Sequence, residues 1–233
     1  MIETQTAFPY PVKRIAFERT VRLVATARLR DPVLRKLVGE EFFDDLAEIE
    51  GATNGRLTAE QRGGDAINAN EFVAGLPNAA FINAAFSYWR PRDLNRFNGP
   101  GRGAWYSALT VETSIEEVTF HMTRELERVN EFNAVVDYAE LFASFAGEFA
   151  DLREVKPSPQ CLNPDTTIGY PEGNKVAELV RSIGYNGIIY PSVRHKEGTY
   201  VVALFPHAVQ SVAQGRVLRL TWTNRNKPSL SFL

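Results

Sequence analysis

The amino-acid sequence predicts a single α+β domain, with strands near both ends of the chain and helices between them. Three segments support this prediction: an early strand at Phe17 to Thr26, a capped amphipathic helix at about Ser114 to Asn130, and a closing run of β-favouring segments from Gly187 onwards. Strands and helices do not alternate as they do in a doubly wound parallel sheet. The expected class is therefore α+β.

The first part of the chain contains one predicted strand followed by short helices. Phe17 to Thr26 has the apolar and β-favouring composition of a strand. Asp31 and Pro32 mark a helix start, because an acid is favoured at the N-cap and proline at the first helical position. Short helices are expected from there to about Ile49. The segment Glu50 to Gly75 is rich in Gly, Asn and Ala and is compatible with an exposed loop or with part of a site.

The middle of the chain leads into the most clearly defined helix. A short apolar segment, a turn-rich connection and a strand follow one another at Ala79 to Ser87, Trp89 to Arg102 and Ala104 to Ala108. Thr113 and Ser114 precede Glu116 and Glu117 by three residues, which is the spacing of a capping box. The predicted helix runs from about Ser114 to Asn130, with apolar residues at helical spacing at Ile115, Val118, Met122, Leu126 and Val129.

The rest of the chain is predicted to be mostly β. Phe132 to Leu152 mixes aromatic and β-favouring residues with Gly147, which suggests a hairpin. Asn174 is expected to cap a helix over Lys175 to Ile183 that ends at Gly184. Three strands are expected at the close of the chain, at Gly187 to Tyr190, Thr199 to Phe205 and Val217 to Trp222.

Composition and charge argue against several classes of protein. The 233 residues include 26 Lys and Arg and 28 Asp and Glu, so the formal net charge is −2. Near-neutral charge argues against nucleic-acid binding through phosphate neutralisation. The 20 Arg outnumber the 6 Lys, which is compatible with an anionic ligand and equally with a GC-rich genome.

The protein is expected to be cytoplasmic and to need no metal. The one cysteine, Cys161, cannot form an internal disulfide, which suits a reducing compartment. The N-terminal residues lack the apolar region of a signal peptide, and no stretch has the length of a membrane span.

Three scattered histidines (His121, His195 and His207) and one cysteine do not make a zinc site. A P-loop, a GxGxxG helix start and a GxSxG nucleophile motif are all absent from the sequence.

Two groups of polar residues remain as candidates for a site. Arg96, Tyr106 and Glu117 occupy a loop, a strand and the first turn of the predicted helix. A strand that feeds directly into a capped helix places these three residues within reach of one cleft. A second polar cluster, Tyr190 to His195, follows a fully apolar strand.

The residues around both groups resemble the RES domain family, named for its Arg, Glu and Ser. The resemblance rests on three blocks in the same order: LNRFNGPGRGAWYSALTVETSIEEVTFH, GYNGIIYPSVRH and GTYVVALFPHAV. It covers roughly Ala79 to Trp222, and Leu46 to Leu57 resembles the segment that precedes the domain in longer members. Residues 1–78 are accordingly expected to form an N-terminal strand and helical extension packed on a RES domain at residues 79–233.

The resemblance implies a mixed, mainly antiparallel β core like that of ADP-ribosyltransferase toxins. It also implies the toxin of a bacterial toxin–antitoxin pair that consumes NAD⁺, passing ADP-ribose to a protein side chain, to phosphate or to water. The implied partner is a separate Xre-like helix-turn-helix antitoxin that blocks the cleft. The family's Arg, Tyr, Glu and Ser fall on Arg96, Tyr106, Glu117 and Ser192. The string FNGPGRG departs from many relatives, so the detailed contacts of this loop stay open.

The chemistry of NAD⁺ cleavage uses residues of these types. Loss of nicotinamide leaves a cationic, oxocarbenium-like ribose, which the Glu117 carboxylate can stabilise in the transition state. Arg96 can bind the diphosphate through charge-assisted hydrogen bonds. Tyr106 offers an aromatic face for nicotinamide or a hydroxyl for ribose, and Ser192 offers a hydroxyl.

Further candidates for ligand contact, and more ordinary alternatives, remain open. His121 lies on the same helix face as Glu117, and both Arg194 and His195 can reach phosphate or water. Each site residue also has an ordinary structural alternative. Glu117 is then the acid of a capping box and Arg96 a solvated loop residue. Tyr106 is then a core or edge aromatic and Ser192 a turn residue. For the whole protein, the alternative to an NAD⁺-consuming enzyme is a non-catalytic module that binds a nucleotide or the antitoxin.

Overall fold

The computed structural model describes residues 8–29, 67–89, 94–225 and 227–233. The helices expected from Asp31 to Ile49, and the segment Leu46 to Leu57, lie outside the described residues. Most of the segment Glu50 to Gly75 lies outside them too, and its described part contains a 3₁₀ turn at Ala69–Glu71.

Seven strands and three helices make up the described part of the chain. The strands are β1 (Val12–Ala25), β2 (Trp105–Ala108), β3 (Ala134–Asp151), β4 (Gly187–Pro191), β5 (Thr199–Ala203), β6 (Val209–Trp222) and β7 (Ser229–Phe232). The helices are α1 (Ala79–Ser87), α2 (Val111–Val129) and α3 (Thr166–Ile183). The predicted α+β class is confirmed.

All seven strands belong to one sheet, in the order β1-β2-β5-β4-β3-β6-β7. Because β1 also pairs with β3, the strands β1, β2, β5, β4 and β3 close into a ring. Among the pairs that the structure describes, β3 and β4 are parallel and the others are antiparallel. The sheet is therefore mixed and mainly antiparallel, as predicted.

Strand β1 is built into this ring rather than appended to it. It pairs with β3 over nearly its whole length, with a shift of register between Phe17 and Thr20. Thr20 is fully buried, and its Oγ1 donates a hydrogen bond to the carbonyl of Ala143 at 2.9 Å. The division of the chain into residues 1–78 and 79–233 stays a prediction, in which the first part contributes a strand to the sheet of the second.

The hairpin predicted at Phe132 to Leu152 is wrong, because β3 runs through this segment as a single strand. Gly147 lies inside β3 with φ of 136°. A Cβ there would collide with Oδ1 of Asn186, which accepts a hydrogen bond from the backbone N–H of Glu148 at 2.9 Å. The glycine therefore marks a close approach of a side chain to the strand, and not a turn.

Helix α2 begins three residues before its predicted start, and the predicted capping box is wrong. Thr110 is the N-cap, and its Oγ1 accepts a hydrogen bond from the backbone N–H of Thr113 at 3.4 Å. Ser114 lies inside the helix, where its Oγ donates to the carbonyl of Val21 in β1 at 2.7 Å. Glu117 consequently lies in the second turn of α2, so its carboxylate is not the acid of a cap.

Helix α3 begins nine residues before its predicted start, and Asn174 does not cap it. The N-cap is Asp165, whose Oδ1 accepts a hydrogen bond from the backbone N–H of Thr167 at 2.8 Å. Asn174 lies in the middle of the helix and donates to the carbonyl of Asn95 at 2.8 Å. The predicted end is confirmed, since Gly184 closes the helix in the left-handed region with φ of 90°.

The other predicted strands are confirmed, but two of them are longer than predicted, and β1 begins at Val12 and not at Phe17. β2, β4 and β5 match their predicted segments within two residues. β6 begins eight residues before its predicted start, because its first half has few large apolar side chains and its two buried residues, Val209 and Val212, do not alternate with exposed ones as in a typical strand pattern. β7 was not predicted, and all four of its residues are exposed.

Each helix covers a different part of the sheet. Buried residues of α1 pack with Trp105, Phe145 and Phe149, those of α3 with Ile188 and Val202, and those of α2 with Leu218 and Trp222. In the described ranges, no helix combines the length and the apolar character that crossing a membrane requires.

Candidate functional site

A cleft of about 170 Å³ lies where α2 and α3 meet the ring of strands. It is lined by Arg22, Leu23, Asn95, Arg96, Tyr106, Ser114, Glu117, Val118, His121, Tyr170, Tyr190 and Tyr200. Three of the residues assigned from the family pattern, Arg96, Tyr106 and Glu117, are therefore brought together as expected from their order along the chain. Ser192 and Arg194 are not among the lining residues.

Glu117 is the one acid among the described residues that line the cleft. Ser114 and His121 share its face of α2, because side chains three and four residues apart are neighbours on a helix. Oε1 of Glu117 lies 3.1 Å from Nε2 of His121, and the two side chains are 29% and 47% exposed. The carboxylate thus has one histidine contact and keeps access to the cleft.

Three tyrosines surround this carboxylate. Tyr190 and Tyr200 are partners across β4 and β5, and their rings stack with centroids 5.8 Å apart. Burial, followed by the negative charge of Glu117, raises the pKa of Tyr170, Tyr190 and Tyr200. All three phenols therefore remain protonated at neutral pH and add neutral aromatic surface to the cleft lining.

Arg96 is a buried wall of the cleft and not a solvated loop residue, since it is only 7% exposed. Its Nη1 donates to the carbonyls of Cys161 and Asn163 at 2.6 and 3.1 Å. Its guanidinium lies 5.3 Å from the centroid of the Tyr170 ring. These contacts fix the side chain before any ligand binds and hold its positive charge in the wall of the cleft that Glu117 also lines.

Tyr106 positions the loop that carries Arg96. Its hydroxyl donates to Oδ1 of Asn98 at 2.9 Å and accepts a hydrogen bond from the backbone N–H of Phe97 at 3.0 Å. Burial raises the pKa of Tyr106, so the phenol stays protonated. The hydroxyl is thus engaged with the loop, and the side chain contributes surface to the cleft wall.

Ser192 occupies the turn that its ordinary alternative predicts. Its Oγ accepts hydrogen bonds from the backbone N–H groups of Arg194 at 3.3 Å and His195 at 3.0 Å. Nδ1 of His195 in turn lies 2.9 Å from Oγ1 of Thr113, in the first turn of α2. Ser192 and His195 therefore hold the 192–198 loop against the helix that carries Glu117, and a contact of Ser192 with the ligand stays a prediction.

Sequence reasoning assigned no role to several lining residues. Arg22 reaches the cleft from β1, with its guanidinium 5.0 Å from the centroid of the Trp105 ring. Tyr200 enters through its pairing with Tyr190, which no local motif reveals. Tyr170 lies on the part of α3 that was not predicted as helix, so its direction could not be anticipated.

The donor set of the cleft suits an anionic, partly aromatic ligand. Neutral phenols, two guanidiniums and one carboxylate line it. Nowhere in the described part of the chain do three or more His, Cys, Asp or Glu side chains come together in a group that could hold a metal ion.

Comparison with known proteins identifies the family to which these residues are similar. A family model described as RES domain matches residues 73–223. Among solved structures, the chain is similar to one titled as the crystal structure of the M. tuberculosis MbcT–MbcA toxin–antitoxin complex, with 16% sequence identity and a TM-score of 0.38. That alignment covers 55% of this chain and 72% of the other. A comparison with curated protein sequences gives no match.

Proposed function

The chain belongs to the RES domain family, and from this premise we propose that it cleaves NAD⁺ at the bond between nicotinamide and ribose. ADP-ribose then passes to an acceptor, which is a protein side chain, phosphate or water. The observation that carries the proposal is that Glu117 is the one carboxylate among the described residues of a cleft that is also lined by neutral tyrosines and by Arg22 and Arg96.

The proposed step is a substitution at C1 of the ribose attached to nicotinamide. Nicotinamide leaves as a neutral molecule with the electron pair of the broken C–N bond, and the ribose acquires oxocarbenium character. The acceptor then bonds to C1 and loses its proton. Because the positive charge on ribose is greatest in the transition state, a fixed carboxylate stabilises that state more than the ground state. Glu117 is the group proposed for this role.

The size and surfaces of the cleft support binding of the nicotinamide end. A volume of about 170 Å³ is below the range of pockets that enclose a drug-sized molecule, ~300–1,000 Å³, so it suits part of a dinucleotide and not the whole. The stacked rings of Tyr190 and Tyr200 offer flat apolar faces for a nicotinamide ring. The guanidiniums of Arg22 and Arg96 favour a ligand that also carries negative charge.

We further propose that the protein is the toxin of a toxin–antitoxin pair. Membership of the RES family supports this role, and an Xre-like helix-turn-helix antitoxin is the proposed partner. A partner that covers the cleft would inhibit the reaction by denying NAD⁺ access to Glu117.

The test is release of nicotinamide from NAD⁺ by purified wild type, Glu117→Gln and Glu116→Gln. Glu116 is the matched control, because it is the neighbouring acid on α2 but pairs with Lys227 and does not line the cleft. We expect Glu117→Gln to lose a factor of about 10² or more in rate and Glu116→Gln to retain the wild-type rate. Equal turnover by both variants would remove Glu117 from the mechanism.

The same variants test the proposed role in cells. Expression of wild type without its neighbouring genes should lower cellular NAD⁺ and arrest growth, and Glu117→Gln should do neither. If wild type binds NAD⁺ but leaves both NAD⁺ and growth unchanged, the non-catalytic binding module becomes the better description of the protein.

A further inference from the structure

Three guanidiniums act on one residue of the cleft, Tyr170. Arg124 and Arg194 do not themselves line the cleft, and the surface that they form beside Tyr170 is called the rim below. Arg96, Arg124 and Arg194 all act on the ring hydroxyl of Tyr170, where their positive charges oppose the pKa increase caused by burial and by Glu117. Burial lowers the pKa of Arg194, the negative charge of Glu117 and then Tyr170 oppose this effect, and the positive charges of Arg96 and Arg124 add to it to a smaller extent. Like charges repel one another, so an anion bound between these guanidiniums would reduce their mutual repulsion.

Two of these guanidiniums share one aromatic ring. Arg194 lies over Phe120 of α2, with its guanidinium carbon 3.6 Å from the ring centroid, and that of Arg124 lies 5.6 Å from the same centroid. Stacking on an aromatic face orients a guanidinium while leaving its edge available for hydrogen bonds. Phe120 is therefore a shared platform for both side chains.

The start of α3 anchors the same two side chains. Nη2 of Arg194 donates to the carbonyl of Pro164 at 3.0 Å, and Nη1 of Arg124 donates to Oγ1 of Thr166 at 3.2 Å. Both acceptors are uncharged. Within the described residues, Nε of Arg194 is buried and has no hydrogen-bond partner.

Direct ion pairs with these three arginines are absent from the described residues. Among the described residues, no carboxylate lies within 4.0 Å of the guanidinium of Arg96, Arg124 or Arg194, whereas Arg153 and Arg219 each form such an ion pair. Two acidic groups interact electrostatically with these arginines: Glu117 in the cleft with Arg194, and Asp165 at the N-cap of α3 with Arg124. Asp165 is engaged with the backbone N–H and the hydroxyl of Thr167.

We propose that Arg124 and Arg194, stacked on Phe120, form the subsite that binds the diphosphate of the dinucleotide. This inference rests on the proposed function and extends it, because it specifies how NAD⁺ is oriented in the cleft. Nicotinamide and its ribose lie among the tyrosines and Glu117, and the phosphates lie at the rim between α2 and α3. Arg96, whose Nη1 is held by two carbonyls, adds charge from the wall between the two ends.

The test uses two probes that divide the substrate, ADP-ribose with the diphosphate and nicotinamide riboside without it. Calorimetry should show that Arg124→Gln and Arg194→Gln each weaken ADP-ribose binding about tenfold, as loss of one charge-assisted contact requires. Affinity for nicotinamide riboside should not change. Arg128→Gln is the matched control, since Arg128 lies one turn further along α2 and pairs with Glu125.

Each other outcome bears directly on the inference. Wild-type ADP-ribose affinity in either variant, an equal loss of riboside affinity, or no ADP-ribose binding by wild type would overturn it. If ADP-ribose binding depends on both arginines but wild type releases no nicotinamide from NAD⁺, the subsite stands and the proposed reaction fails.

Discussion

At the scale of single residues, the tyrosines that line the cleft with Glu117 remain neutral. Burial and the charge of Glu117 itself raise the pKa of the nearby tyrosines, so they do not add negative charge near physiological pH. A carboxylate among neutral rings acts through a lower dielectric than one in water, which strengthens its effect on a developing positive charge. Arg22 and Arg96 supply the opposite charge for an anionic substrate.

Arg96 has a structural role as well as the proposed role in binding, so Arg96→Lys is expected to affect both. A lysine keeps the charge but loses the planar guanidinium that reaches the carbonyls of Cys161 and Asn163. Loss of these buried hydrogen bonds should reduce the free energy of unfolding by about 1–3 kcal/mol. Urea unfolding measures this effect, and calorimetry with NAD⁺ should show weaker binding.

The control for this variant is Arg128→Lys, because Arg128 is exposed and pairs with Glu125 on the same helix. That substitution should leave both stability and NAD⁺ affinity close to wild type. Unchanged stability and affinity in Arg96→Lys would show that neither the carbonyl contacts nor the ligand requires a guanidinium.

At the scale of elements, the cleft depends on the close approach of α3 to the loop that carries Arg96. Gly169 and Gly173 provide this approach. A Cβ at Gly169 would lie 2.8 Å from Nη1 of Arg96, and a Cβ at Gly173 would collide with the carbonyl oxygen of Arg96. Backbone cannot move aside as a flexible side chain can, so Gly173 fixes the distance between helix and loop.

Gly173→Ala is therefore expected to destabilise the protein although alanine is the better helix former. Helix propensity alone would favour alanine by about 1 kcal/mol, but overpacking against backbone costs ~1–3 kcal/mol. We expect a lower midpoint of thermal unfolding together with slower NAD⁺ turnover, because Arg96 must shift. Glu178→Ala, an exposed change on the same helix, is the control. A higher midpoint for Gly173→Ala than for wild type would contradict the close packing.

At the scale of the whole molecule, an ion-pair network helps to hold β1 in the ring. Asp151, at the end of β3, has a side chain only 3% exposed and pairs with Lys13 of β1 at 3.0 Å and with Arg153 at 2.7 Å. Burial raises the pKa of Asp151, but the hydrogen bonds from Arg153 and Lys13 outweigh burial and hold the pKa well below its usual range. The folded state therefore favours the ionised form.

The lowered pKa of Asp151 predicts that the folded protein loses stability in acid. Because the folded pKa of Asp151 is depressed, its stabilisation is complete above the pKa of an unfolded aspartate, about 3.9, and is lost as pH falls from there towards the folded value. Asp151→Asn should be less stable at pH 7 by about 2 kcal/mol or more and should show a weaker decline between about pH 4 and pH 2. Urea unfolding over this range measures both effects.

Asp137→Asn is the matched control for the acid dependence. Asp137 also pairs with an arginine, Arg219, but its side chain is 26% exposed. This variant should keep most of the decline below pH 4. A decline of wild-type size in Asp151→Asn would mean that other groups control the acid stability.

The sequence by itself determined the fold class, the approximate positions of most of the strands, the ends of α2 and α3, and the family. These features depend on local patterns: apolar spacing, glycine at a helix end, and motifs of a few adjacent residues. It also named Arg96, Tyr106 and Glu117, which the structure brings into one cleft.

Tertiary structure decided what depends on distant contacts. β3 continues through Gly147 because Asn186 packs there, and Ser114 lies inside α2 because Thr110 caps it and Val21 accepts its hydroxyl. The tyrosines and Arg22 reach the cleft only through the pairing of strands and the packing of α3, which no short stretch of sequence encodes.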